Sequence, residues 1–459
     1  MELPHPIRHL GDVAQLIAHL RLGAKNGWKT EDGQLFVTLA AALQLGLPLQ
    51  DLPEPGTFDF TEELKKRTKD IPFITDAIDA GWEVGGTERS LNATTRVWHP
   101  ENPQLRGRFV IIPALKDDFQ PMLEGAAGPA DVARRLQRFA DALGAPYSIS
   151  AATTCHDLMK TTAPNKEQRL LRFAPSDPVP PAEIASLEQD INWHRKPTEE
   201  ELSHTYVHGF DRGGSYLAGV AGLQLGVGAP TYMQPGSAIQ FNKNIPGYWR
   251  IEMPAKSEWL YPNPLDPRNR DEDFTGQLTW VTTPTLEIAI DLGYEFEIQE
   301  AYVWENHTRL LDTWYGKVRD ALLTLDTVDP DDIAARAVVK TLYKRGLGLM
   351  ASFEHQRGRD LFAPERYHAI QAKARGAIIR RVHQIGTDTG RWPVAITADT
   401  VLYTSNESDP AKAWPGHERN FGRGLGQFKP EGVTDLASHL QFLTGRGRYE
   451  GKAFLTEPF

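Results

Sequence analysis

The chain has 459 residues, 40% apolar and 24% charged, enough for about two to four compact domains with cores of their own. No run approaches the roughly 18 apolar residues of a membrane span, Met1 to Arg8 lack the plan of a signal peptide, and the single cysteine, Cys155, excludes internal disulfides and cysteine-based zinc sites, as suits a reducing cytoplasm. A net charge of −10 argues against a protein that coats nucleic acid over its whole surface.

In chain order, residues 1 to 90 read mainly helical, with periodic segments at Val13 to Leu22 and Leu35 to Leu45 and a Pro/Gly break at Leu52 to Gly56. Residues 91 to 180 read as an α/β region: strands between Thr94 and Ala114, a helix from Pro129 to Leu143 and a short strand at Tyr147 to Ser150. Pro175 to Pro181 is the linker candidate. The run Thr205-Tyr206-Val207 then leads into Asp211, two glycines and Tyr216, a pattern of strand, carboxylate, turn and helix. Such a strand tip suits a metal-chelated triphosphate, and it also suits an ordinary turn acid.

Further strands are expected at Tyr248 to Met253, Thr279 to Val281 and Tyr294 to Trp304, with a short helix opened by Thr283-Pro284 and closed by Gly293. Helices follow over Thr308 to Leu325, Asp329 to Leu347 and Pro364 to Gln384, the last strongly basic on one side. From Arg336 to His383 there are eleven Lys/Arg against three acids, which leaves −18 for the remainder of the chain. A phosphate-binding face produces that segregation, and so do solvated basic helices. Val394-Ala395-Ile396, a turn at Thr397-Ala398-Asp399 and Thr400 to Tyr403 read as a hairpin.

Asp211 and Asp399 are both strand-tip carboxylates. Brought together on neighbouring strands, two such acids can hold two Mg²⁺ or Mn²⁺ ions about 3.5–4 Å apart, one activating a hydroxyl and one escorting pyrophosphate. Between them in sequence, Lys340, Lys344 and Arg345 supply charge for a triphosphate. His204 and His208 have helical metal-ligand spacing, but the residues between them favour a strand. The glycines 219, 222, 226 and 228 suit close helix packing and turns, and Trp392 and Trp414 are candidates for base stacking or for the core.

The order of these motifs resembles the palm and fingers of family-B DNA polymerases over about residues 203 to 435. Asp211 followed by Tyr216 matches the first motif, Lys340 and Gly348 match the second without its Asn, Ser and Tyr, and Asp399 keeps one acid of the third, where Thr397 stands for the other. Thr283 to Tyr294 and Leu425 to Glu431 are similar flanking stretches. The phrasing around Ser215 to Ala218, Thr404 to Pro410 and Ala413 to Gly416 looks like that of polymerase-like telomere-associated (Tap-type) proteins of actinobacterial linear replicons, phages and mobile elements.

The resemblance implies an α/β fold with a first palm part over 200 to 305, basic fingers-like helices over 306 to 385, and a second palm part with a short tail over 386 to 459. Residues 91 to 180 would be a degenerate exonuclease-like domain, and the thumb is reduced or missing. It implies Asp211 and Asp399 as catalytic metal ligands for two Mg²⁺ or Mn²⁺ ions. Tyr216, Lys340, Lys344, Arg345 and Gly348 would bind the dNTP, and Arg380, Arg381, Lys429, Arg446 and Arg448 would bind DNA. The partners implied are single-stranded or primed DNA and a terminal protein, in the cytoplasm at the nucleoid, with no membrane. The lost motif residues keep a second expectation open, a catalytically inactive protein that binds single-stranded DNA ends.

Overall fold

The computed structural model describes residues 6–22, 25–26, 29–30, 32–54, 57–85, 89–115, 119–148, 150–164, 188–236, 239–255, 260–266, 274–352, 362–445 and 447–456. The chain is α/β and divides into two units, Met1–Ala163 with Gly316–Gly346, and Pro164–Tyr315 with Leu347–Phe459. The linker candidate Pro175 to Pro181 lies outside the described residues. Among the described residues no helix is long and apolar enough to cross a membrane.

In the first unit, α1 (Leu10–His19) starts from a reciprocal cap: the His9 ring accepts the Gly11 N–H while Asp12 accepts the His9 N–H. Its apolar stripe, Leu10, Val13, Ala14 and Ile17, packs on a four-stranded sheet of β1 (Gln34–Val37), β2 (Glu83–Val84), β3 (Thr94–His99) and β4 (Asn102–Ile111), in the order β1-β4-β3-β2. Only β1 and β4 run parallel. The approach of α1 is close: a Cβ on Gly107 would lie 2.2 Å from Ile17 Cδ1.

The sheet draws strands from both sides of residue 90, because the apolar run read as helix from Leu35 to Leu45 is a strand to Val37, an N-cap at Thr38 and a short helix, Leu39–Gln44. Residues Gly316–Gly346 belong to this unit, so the stretch 306 to 385 is shared between the two. The acids at the start of the helix Pro330–Leu349 favour its N-terminus and also bind arginines. Asp331 takes the buried Arg135 at 2.9 Å, and Asp332 and Asp329 take Arg138 at 3.2 and 3.3 Å.

The second unit is built on an antiparallel five-stranded sheet of β5 (Asn192–His194), β6 (Tyr206–Arg212), β11 (Ala395–Thr397), β12 (Thr400–Ser405) and β13 (Phe428–Asp435), ordered β13-β6-β12-β11-β5. A second antiparallel sheet holds β7 (Thr231–Met233), β8 (Gly247–Glu252), β9 (Leu278–Thr282) and β10 (Ile298–Val303), ordered β7-β10-β8-β9. Helix α2 (Ser215–Val220) follows β6, and α3 (Thr283–Asp291) follows β9 with Pro284 in its first turn. Helix α4 (Pro364–Thr389) lays Ile378, Ile379, Val382 and Ile385 against Phe210, Ile396, Val401 and Phe428 of the five-stranded sheet. Gly219 lets α2 touch α4, since a Cβ there would lie 2.8 Å from the Ile370 carbonyl.

The basic face expected on α4 is largely an inward one. Arg375 is 4% exposed, pairs at 2.8 Å with Glu188, itself 1% exposed, and donates to the Gln189 carbonyl at 2.9 Å. Glu188 also accepts the Thr282 and Thr285 hydroxyls at 2.8 Å each. Arg366, equally buried, donates to the Gly226 carbonyl at 2.8 Å. Charge counting sees these arginines but not the buried acceptors that draw them in.

Candidate functional site

The strand tips of β6 and β12 bring Asp211 and Asp399 together although 187 residues separate them in the chain. In the antiparallel register Asp211 faces Thr400, and the Arg212 N–H donates to the Asp399 carbonyl at 2.9 Å. The hairpin turn is tight: Ala398 has φ +51° and its N–H donates to the Ile191 carbonyl at 2.7 Å. After Asp211 the chain turns through Gly214, at φ +57°, into α2. Gly213 is pinned against the Gly424–Gln427 loop by two backbone hydrogen bonds of 2.8 Å.

Burial and the charge of Asp211 push the Asp399 carboxyl up to about 6, with Glu431 adding to the push and Lys452 opposing it. On the other edge of β6, Lys429 of β13 pairs with Asp211 at 2.9 Å. Glu431 sits at a bulge in β13, accepts the Thr400 hydroxyl at 2.5 Å and pairs with Lys452 at 2.9 Å. Lys452 also donates to the Thr400 oxygen at 2.6 Å. The cluster is three carboxylates interleaved with two ammonium groups around one threonine. Among the described residues no group of three or more His, Cys, Asp or Glu is arranged to hold a metal ion.

Tyr216, on the first turn of α2, donates its hydroxyl to Asp190, which also receives the Gln371 amide at 3.4 Å. Burial first, and then Asp190, raise the Tyr216 hydroxyl far above the ordinary phenol range. Arg212 is held down to about 10 by burial and by Arg381. The expected nucleotide ligands are divided between the units: Lys340, Lys344 and Arg345 are exposed residues of the first, while Gly348 belongs to the second.

Of the residues expected on DNA, Arg380 is taken by Asp291 at 2.6 Å and Glu287 at 3.5 Å, two acids one turn apart on α3. Arg381 donates to the Gln384 side chain at 2.8 Å. Lys429 is the partner of Asp211, Arg448 is exposed, and Arg446 lies outside the described residues. His204 and His208 bind Thr404 and the Glu407 carbonyl, each at 2.8 Å. Trp414 is buried between Phe210 and Phe428, and Trp392 stacks on Tyr261 at 5.5 Å.

Sequence reasoning assigned no site role to Thr400 or Glu431 of the cluster, nor to Asp190 beside Tyr216. Thr400 and Glu431 each carried a signal, the first by its place directly after Asp399 in the hairpin and the second as the end of the Leu425 to Glu431 stretch.

A family model described as a domain of unknown function (DUF8841) matches residues 1–150. No curated protein matches the chain. Among solved structures, the chain is similar to Phi29 DNA polymerase with primer-template DNA and incoming nucleotides, at 14% identity and a TM-score of 0.49 over 77% of this chain and 70% of that one. It is similar also to an orthorhombic crystal form of Phi29 DNA polymerase, at 13% identity and a TM-score of 0.48 over 78% and 73%. The same polymerase with single-stranded DNA matches at 13% identity and a TM-score of 0.47 over 77% and 69%.

Proposed function

We propose that the chain is a polymerase-like nucleotidyltransferase of DNA replication, at telomeres or on a mobile element, with a palm built on β6, β12 and α4. It would add deoxynucleotides from dNTPs to a primed strand, with two Mg²⁺ or Mn²⁺ ions at Asp211 and Asp399. The observation that carries this reading is the meeting of those two carboxylates at adjacent strand tips, one of them held up to about 6.

The donor set suits divalent cations, because a carboxyl that resists ionising beside another carboxylate is relieved by a positive charge between them. Bound ions would activate the attacking hydroxyl and stabilise the departing pyrophosphate. The chain's own residues prepare the site. Lys429 balances Asp211 from β13 while 42% exposed, within reach of a competing DNA phosphate. Asp190 orients Tyr216 just after the catalytic carboxylate, where a residue that selects the sugar is needed. Lys340, Lys344, Arg345 and Gly348 enter the proposal on their motif alone, as dNTP ligands.

Labelled-dNTP incorporation on a primed template with Mg²⁺ or Mn²⁺ tests the reading. Asp211→Ala and Asp399→Ala should each abolish incorporation while single-stranded DNA remains bound. Inactive, well-folded wild type that binds such DNA as well as both variants would sink the enzyme and leave the second reading. That reading is an inactive polymerase-fold protein that binds single-stranded DNA ends at the nucleoid and recruits a terminal protein. The Lys429 ammonium already seated on Asp211 favours it.

A further inference from the structure

A cavity of about 280 Å³ opens in the second unit beneath the loop from Gly222 to Gly226, walled by β8, α3 and α4. None of the strand-tip residues Asp211, Asp399, Lys429, Glu431 and Lys452 lines it. Its lining carries five cationic side chains, Lys243, Arg309, Arg366, Lys373 and Arg380, against two carboxylates, Glu287 and Glu365. A concentration of like charge is unfavourable in a half-buried space unless a counter-charge enters.

The cations differ in what already engages them. Arg380 is held by Asp291 and Glu287, and Arg366 gives one N–H to the Gly226 carbonyl and lies 3.9 Å from Glu365. Lys373 donates one proton to the Ala221 carbonyl at 2.5 Å, which leaves two ammonium hydrogens. Burial holds its pKa below the ordinary lysine range. Glu287 and Asp312 pull it up, while Arg309 and Arg380 press it down again. Lys243 and Arg309 stand exposed at the rim, and neither is in an ion pair among the described residues.

We infer that this cavity is a binding site for a small phosphate anion, one to three linked phosphates, distinct from the strand-tip carboxylates. Arg366 and Lys373 form the floor, and Arg309 and Lys243 close over the ligand from the rim. The volume falls just below the roughly 300–1,000 Å³ of small-molecule sites, which suits a phosphate chain and not a length of nucleic acid. The ligand chemistry has two sources, a free di- or triphosphate and the phosphorylated end of a DNA strand. The inference does not depend on polymerase activity.

The test is calorimetric titration of the full chain with pyrophosphate in EDTA, so that no divalent ion brings the strand-tip site into play. A parallel titration uses an oligonucleotide with and without a 5′-phosphate. Wild type should bind pyrophosphate, Lys243→Gln with Arg309→Gln should weaken it at least tenfold, and Asp211→Asn should change it less than twofold. Because both rim residues are exposed, that double variant keeps its fold, which a thermal melt verifies. Tighter binding of the 5′-phosphorylated strand than of the unphosphorylated one, lost in the same double variant, would identify a strand end as the source; equal binding of the two would leave the free anion. Absence of pyrophosphate binding, equal binding by wild type and the rim variant, or loss of binding in Asp211→Asn would each overturn the inference. Intact pyrophosphate binding in a protein that incorporates no dNTP would remove the polymerase and leave this site standing.

Discussion

Replacing Asp399 with asparagine should stabilise the protein, and only above a certain pH. Burial and the neighbouring Asp211 hold the folded-state pKa at about 6 against an ordinary 3.8. A carboxyl whose pKa is raised by folding keeps its proton more readily in the folded chain. Its contribution to stability is therefore complete below about pH 4 and is lost as the pH rises through about 6. A rise from 3.8 to about 6 corresponds to about 3 kcal/mol. Asp399→Asn keeps the shape and removes the charge, so the variant and wild type should be equally stable at pH 4 and differ by about 3 kcal/mol, in favour of the variant, at pH 8. Urea unfolding of both proteins across this range, followed by circular dichroism, measures the difference. Taking the difference cancels the titrating groups that do not interact with Asp399, while Asp211, Glu431 and Lys452, which do, remain part of the measured gap. A gap that stays constant from pH 4 to 8 would refute the reasoning, since a group ionised alike in both states cannot give a pH-dependent term. Mn²⁺ at about 100 times its dissociation constant should add about 2.7 kcal/mol to wild type at pH 7 and much less to Asp399→Asn.

Glu188→Ala leaves Arg375 buried without its carboxylate and should cost about 3–5 kcal/mol in thermal unfolding, whereas Glu188→Leu combined with Arg375→Met should cost far less. Lys429→Met removes the ammonium from Asp211 and should tighten Mn²⁺ binding several-fold at low ionic strength; an unchanged or weaker Mn²⁺ affinity by electron paramagnetic resonance would contradict the geometry. Gly346→Ala should destabilise by about 1–3 kcal/mol, because its Cβ would fall 2.1 Å from the sulfur of buried Cys155; a neutral effect on the melting temperature would contradict that packing.

The parts of this protein that were legible in its sequence are those governed by local rules. The hairpin around Asp399 shows as two short runs rich in β-branched and apolar residues broken by a turn, and α3 shows as a proline in the first turn with Gly293, at φ +83°, past the end. Leu35 to Leu45 misled because a continuous apolar run fits a buried strand as well as a helix, and the deciding residue is Thr38, whose hydroxyl caps the following turn. The parallel pairing of β1 with β4 was not legible, since each strand meets its partner across more than sixty residues.

The two carboxylates could be found one at a time, as strand tips, but the register that sets Thr400 opposite Asp211 is a property of the assembled sheet. Charges failed in the same way. A basic residue announces its sign locally, while what it does depends on the partner that packing delivers: Glu188 for Arg375, Asp291 for Arg380, Asp211 for Lys429. An excess of lysine and arginine along a helix therefore overstates the charge offered to DNA by every residue that folding pairs internally. What remains for a ligand is the set whose partners are fewest. In the second unit, Lys243 and Arg309 at the cavity are two exposed cations in no ion pair among the described residues.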